Sequence, residues 1–373
     1  MSMAFTIENG VLLRYQPSPG EHTVTIPPEC REIGTLAFRN ATRLVKVTIP
    51  CTCRIIGKFA FAGCEKLNEL IIEDGCEEIR GSAFAGCRAL NHVTVPRSVW
   101  AVEGLAFEGT PWLERMHREH IADAAQNPDR AMLMIGTALY EYVGTDTQAV
   151  VPDGCTFVSK NAFRWRHTRY TEWQGSLEQI HPVRLYTVVL PASCRAIDSS
   201  AFADLDYLER VVFAEGLETI GENAFSECNS LRSVMLPDTV RFIGTAAFSR
   251  CGSLTQVQIP DNCTYIGGFA FSESRMLSDL KIPSALTFMG EYAFTGTALT
   301  SVLIPGSCRV VPHHAFCMCP QLRKVVIADG CETVESFAFA GCRSLTNVRF
   351  PKSCTVDPMA WFDCSALSTK MHE

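Results

Sequence analysis

The segment PHHAFCMCP (312–320) sets two adjacent histidines within a few residues of two cysteines. Imidazole and thiolate are the ligands zinc selects, so His313 and Cys317 are candidates for a local metal site. Cys51 and Cys53 form a second soft-ligand pair, C-x-C. Glu114, His117, His120 and Asp123 recur at three-residue steps and would share one helical face as half of a metal site. The competing reading is structural: a polar helix face in water, and small or buried side chains in a core. The chain holds 18 cysteines. Spacing decides what they do.

The spacing is periodic. Ala-Phe recurs with Phe38, Phe61, Phe84, Phe107, Phe163, Phe202, Phe225, Phe248, Phe271, Phe294, Phe316 and Phe339, and Phe362 after Trp361 continues the register. Most steps are 23 residues, with one of 22. Ile-Gly precedes many of these phenylalanines, and Leu-x-x-Val-x-Ile-Pro follows, as in GCRALNHVTVP (86–96) and CNSLRSVMLP (228–237). Alternation at Val234 and Leu236 predicts a short strand with one buried face. The following proline lacks an amide hydrogen, ends the strand and starts a turn. Ile243, Ala247 and Phe248 sit at helical spacing, enough for a turn or two of helix or 3₁₀. Such a unit cannot bury its own apolar side, so it must stack on its neighbours. The expected fold is a repeat solenoid of about thirteen 23-residue coils.

The repeats IGTLAFRN (33–40), IGENAFSECNSLRSVMLP (220–237) and IGTAAFSRCGSLTQVQIP (243–260) resemble the BspA-type, or Treponema pallidum-type, leucine-rich repeat family over nearly the whole chain. The resemblance implies a leucine-rich-repeat-like right-handed superhelix and a bacterial surface protein acting in adhesion or host-protein binding.

Two stretches break the frame. Residues 111–130 read as a connector helix with Pro111 at its start. LMIGTALYEYVGTDTQAVVPDGC (133–155) then parallels IENGVLLRYQPSPGEHTVTIPPEC (7–30), and both read as hairpins that open a run of coils. The expected organisation is an opening hairpin with four coils over 1–110, the connector, and a second hairpin with nine coils over 131–373, stacked as one continuous solenoid. The second break is an insertion at about 164–184 carrying Trp165, Arg166, Tyr170 and Trp173. Insertions in solenoids map to loops, where aromatic and arginine residues serve either recognition or the packing of a joint.

The frame sorts the cysteines. Cys30, Cys53, Cys76, Cys155, Cys194, Cys263, Cys308, Cys331 and Cys354 lie eight residues before the framed phenylalanine, where other coils hold Val99, Leu217, Val240 and Leu286. That interchange marks an apolar interior site. Cys64, Cys87, Cys228, Cys251, Cys319 and Cys342 follow the phenylalanine by three, where Ala, Ser, Thr or Leu also occur; Cys51, Cys317 and Cys364 fall outside both columns. Free thiols are expected throughout. His314 takes the place of Tyr292 and Phe337, which predicts a partly buried ring.

A formal net charge of -7 without a Lys/Arg block gives no footprint for nucleic acid or anionic lipid. No apolar stretch is long enough to insert in a membrane and no secretory signal is visible, so the default expectation is cytoplasmic, with the cell surface suggested by the resemblance. No hydrolase, zincin, P-loop or dinucleotide motif stands in a suitable context, so the chain reads as no enzyme and calls for no cofactor. What remains is surface. Side chains flanking the central strand valine form two outward columns. One holds Val189, Val212, Met235 and Gln258, and the other Arg210 and Gln256. The leading expectation is an interaction scaffold for a protein or glycan partner, using this strand face and the insertion. The alternative is a metal-binding or redox protein. A thin final coil adds the expectation of a homodimer through an array end.

Overall fold

The computed structural model describes residues 5–127, 130–163 and 184–367. The chain is a solenoid of coils stacked at 23-residue steps, and it divides into two compact units, Met1–Gly144 with Gly154–Ala162, and Thr145–Asp153 with Phe163–Glu373.

The first unit opens with the antiparallel hairpin Phe5–Glu8 and Val11–Tyr15. Val11–Tyr15 pairs in parallel with Glu32–Ile33, and the same ladder continues through Ile55–Ile56, Glu78–Ile79 and Ala101–Val102. A second parallel ladder joins Thr23–Thr25, Lys46–Ile49, Glu69–Ile72 and His92–Thr94. The helix Pro111–Gln126 begins where the sequence places it, because Thr110 accepts a hydrogen bond from the Leu113 amide and Pro111 needs no amide partner. Buried Trp112 packs on Phe107 with ring centroids 4.8 Å apart. The second hairpin, Met132–Ile135 and Ala138–Tyr142, also lies in this unit, and its Thr137 amide bonds to the Val99 carbonyl.

The second unit repeats the pattern. Its wide strands run Gln148–Val150, Thr187–Val189, Arg210–Val212, then Ser233–Met235, Gln256–Gln258, Asp279–Leu280, then Ser301–Ile304, Lys324–Ile327, Asn347–Arg349. Two-residue strands at each Ile-Gly corner make the other side of the coil. Glycine is required at this corner because coils meet backbone to backbone: a Cβ on Gly244 would lie 2.7 Å from the Gly221 carbonyl carbon.

Phenylalanine rings fill the axis of each unit. Phe202, Phe225, Phe248, Phe271, Phe294, Phe316 and Phe339 are fully buried and stack at centroid spacings of 4.8–5.5 Å. The last coil departs from the expected register. Trp361, not Phe362, stacks on Phe339 at 4.8 Å, while Phe362 is 54% exposed. One residue fewer separates Thr333 from its partner Thr355, so Ala360-Trp361 takes the place of Ala-Phe.

The segment around each framed phenylalanine consists of successive i→i+3 turns rather than a continuing helix. The Ala247 amide bonds to Gly244, the Ser249 amide to Ala246, and the Phe248 amide reaches across to Ala270 of the next coil at 2.7 Å. A residue in the left-handed region stops helical continuation in nearly every coil, as at Ala246 (φ 54°) and Asn223 (φ 54°).

Candidate functional site

The two cysteine columns do different things. In the first, every thiol but Cys354 is buried beside a carbonyl two residues on, at distances such as 3.5 Å for Cys263 to Tyr265 O and 3.2 Å for Cys308 to Val310 O. Burial pushes both thiols up to about 11 and Cys251 up to about 12. In the second column, the thiol donates to the carbonyl of the framed phenylalanine one coil back. Cys228 bonds to Phe202 O at 3.1 Å, Cys251 to Phe225 O at 3.1 Å and Cys342 to Phe316 O at 3.1 Å. Where Ser274 takes the position, its hydroxyl makes the same bond to Phe248 O at 2.8 Å. Cys364 belongs to this column, contrary to the sequence reading, because its thiol bonds to Phe339 O at 3.2 Å once the one-residue shift of the last coil is counted. All eighteen cysteines are free thiols.

His313 and His314 are engaged locally, whereas the buried Nε2 of His120 has no hydrogen-bond partner among the described residues. His313 Nδ1 lies 2.8 Å from the Ser336 hydroxyl, and its amide donates to Glu335 Oε2 at 3.0 Å. His314 stacks between Tyr292 (4.6 Å) and Phe337 (5.3 Å), the partly buried ring expected of it. Cys317 is half-buried and shares no hydrogen bond with His313. Cys51 is exposed while Cys53 is buried, so the C-x-C pair points two ways along a coil. On the helix, His117 pairs with the buried carboxylate of Glu141 on the second hairpin, and Asp123 pairs with Arg130 at 2.9 Å. Part of the helix face expected in water is therefore docked. Among the described residues, no three His, Cys, Asp or Glu side chains assemble to hold a metal, and nothing in the structure favours the metal or redox alternative.

The strand face of the second unit brings together the exposed residues that the repeat singled out. Parallel register pairs Thr187 with Arg210, Val189 with Val212, Ser233 with Gln256, and Met235 with Gln258. Arg210, Gln256 and Gln258 are exposed, Val189 and Val212 half-buried, and Met235 is 62% exposed. Val150, missed in the sequence because it precedes the first framed phenylalanine of this run, pairs with Val189 and is 60% exposed. Val150, Val189, Val212 and Met235 thus form one apolar strip across four strands.

The strip leads into a groove of about 470 Å³ lined by Asp238, Gln256, Gln258, Asp261, Asp279 and Lys281, among others. Lys281 Nζ donates to both carboxylate oxygens of Asp261 at 2.9 and 3.0 Å, and the Ser284 amide adds a bond at 3.3 Å. These partners hold the Asp261 carboxyl below the usual range. Asp238 and Asp261 each follow a strand-ending proline, the one sequence signal that could have located them. Trp165, Arg166, Tyr170 and Trp173 lie outside the described residues.

A stack of 23-residue coils with a parallel strand ladder on an exposed face is a leucine-rich-repeat architecture. The family profile described as BspA type leucine rich repeat region matches residues 20–122, 134–252, 181–300 and 287–370, in six copies. The chain belongs to that family. No curated protein matches it by sequence. Among solved structures it is similar to a leucine rich cell surface protein from Faecalibacterium prausnitzii, with 21% identity over 99% of this chain and 93% of that one and a TM-score of 0.35. It is also similar to a leucine-rich repeat protein from Eubacterium ventriosum, with 19% identity over 98% and 87% and a TM-score of 0.42. The T. pallidum leucine rich repeat protein matches with 18% identity over 90% and 82% and a TM-score of 0.25. At these identities the likeness is one of repeat architecture. No described helix is long and apolar enough to cross a membrane.

Proposed function

We propose that the chain is a non-enzymatic interaction scaffold whose second unit binds a protein partner on its strand face. The observation that supports this most is the apolar strip of exposed Val150 and Met235 with half-buried Val189 and Val212, which leads into a groove. Contiguous apolar surface rimmed by polar groups marks a contact site, where singly scattered apolar residues do not. A parallel ladder also fixes the spacing of the side chains it presents, so little order has to be gained on binding. The insertion with Trp165, Arg166, Tyr170 and Trp173 is assigned to the same partner for its aromatic and cationic side chains. Membership of the BspA-type family favours a role in adhesion at a cell surface.

Partner capture by the full-length protein tests the reading. Met235→Glu should lower partner affinity at least tenfold while leaving the urea unfolding midpoint unchanged, since its side chain faces solvent. Trp165→Ala with Trp173→Ala should weaken the same complex. Equal capture by all variants overturns the strand-face reading.

A further inference from the structure

The groove suggests what chemistry the partner brings. Lys281 lies twenty residues after Asp261 and reaches back to it as an ion pair. One coil earlier, the same twenty-residue relation joins Gln258 to Asp238. Register makes the two arrangements equivalent, because Met235 pairs with Gln258 and Val257 with Leu280, which sets Gln258 and Lys281 at matching positions of successive strands. Glutamine carries no charge. Asp238, which is exposed, has no ion pair among the described residues, and neither has Asp279. The lining thus counts three carboxylates, Asp238, Asp261 and Asp279, against the single ammonium of Lys281, a net of minus two.

We propose that an extended peptide lies along this face, with a lysine or arginine side chain docked at Asp238 as Lys281 is docked at Asp261, and apolar side chains on Val189, Val212 and Met235. The assignment rests on the strand face being the binding surface. Coils repeat at about 4.8 Å and an extended peptide advances about 3.3 Å per residue, so one coil step spans roughly one and a half residues and the cation follows its nearest apolar anchor by about one or two residues. The strip offers aliphatic side chains and no aromatic ring among its described residues. Sugars stack on aromatic faces, so the strip favours peptide over glycan. A metal ion is disfavoured because no three-ligand group forms there.

Pools of nine-residue peptides with leucine fixed at one position, and arginine, lysine, glutamine or glutamate fixed one or two positions later, test this against the full-length protein. Arginine and lysine pools should bind about fivefold more tightly than glutamine pools, as expected of one exposed charge pair of about 1 kcal/mol. The preference should shrink as salt rises. Gln258→Lys, which supplies the cation from within, and Asp238→Asn should each remove the preference while keeping the urea midpoint and the binding of glutamine pools. A preference that survives both variants overturns the assignment of Asp238. Pools retained without charge preference but lost in Met235→Glu overturn the cation while the strand-face reading stands. Retention of no pool by a protein that still binds its partner through Met235 overturns the extended peptide.

Discussion

Valine should be tolerated in one cysteine column and not in the other. Cys263 sits between Val240 and Leu286 in equivalent coils, and its sulfur contacts to Arg241 O and Tyr265 O are long, both 3.5 Å. Cys263→Val therefore exchanges one small apolar group for another at a site built for either, and should cost less than ~1 kcal/mol. Cys251 is equally buried, yet its thiol donates to Phe225 O at 3.1 Å. Among the described residues, that carbonyl otherwise accepts only the long Cys228 amide bond of 3.4 Å. Cys251→Val strips the thiol donor and leaves the Phe225 carbonyl without it, at a cost of about 1–2 kcal/mol. Cys251→Ser keeps a donor, as Ser274 shows at 2.8 Å, and should cost less than the valine. Urea unfolding of the full-length variants at pH 7 reads the order: Cys263→Val near wild type, Cys251→Ser next, Cys251→Val lowest. Equal midpoints for the two valine variants, or serine below valine at 251, would refute the hydrogen-bonding role of the column.

Three further outcomes follow from the same geometry. Ala246 holds a left-handed φ of 54°, so Ala246→Gly should raise stability by about 1 kcal/mol, while Gly244→Ala, whose Cβ would meet Gly221 at 2.7 Å, should lower it; thermal melts check both. Buried thiols with raised pKa values keep their protons in the folded state, so stability is full below pH 9 and falls as pH rises through about 11 for Cys263 and Cys308. The slope is about 1.4 kcal/mol per pH unit for each such thiol, and Cys263→Val with Cys308→Val should flatten urea midpoints measured from pH 8 to 10.5. His117→Leu leaves the buried Glu141 carboxylate without its imidazole hydrogen-bond partner and should cost about 2 kcal/mol, most of which His117→Leu with Glu141→Leu should recover in urea titrations.

Repetition made most of the fold legible, because each residue can be compared with its equivalents in other coils. The phenylalanine column, the strand valines and the outward columns through Val189 and Arg210 come from that comparison. Three features escaped it. The one-residue shift before Thr355 is invisible locally, since Trp361 and Phe362 are both large aromatics able to fill the column. The hydrogen-bonding role of the second cysteine column was signalled by Ser274, which makes the same bond across coils, but Thr110 and Thr297, which donate to the phenylalanine of their own coil, and Ala41 and Leu205 at the same position disguised it. Left-handed backbone at Phe269, Tyr292 and Phe337 runs against local preference for such bulky residues, and bonds to neighbouring coils impose it, as from the Phe269 amide to Glu291 O at 2.9 Å. The groove was legible only in part: Asp279 and Lys281 lie in the strand columns, whereas Asp238 and Asp261 enter from the turns.

Hydroxyl-radical footprinting of the captured complex tests the binding surface most directly, because four methionines act as built-in probes. Met235, Met276, Met318 and Met359 are 62%, 54%, 57% and 40% exposed, and only Met235 stands on the strand face. The expected result is slower oxidation of Met235 in the complex, with Met276, Met318 and Met359 unchanged. An unchanged rate at Met235, with protection at any of the other three, would contradict the assignment of the strand face as the binding surface.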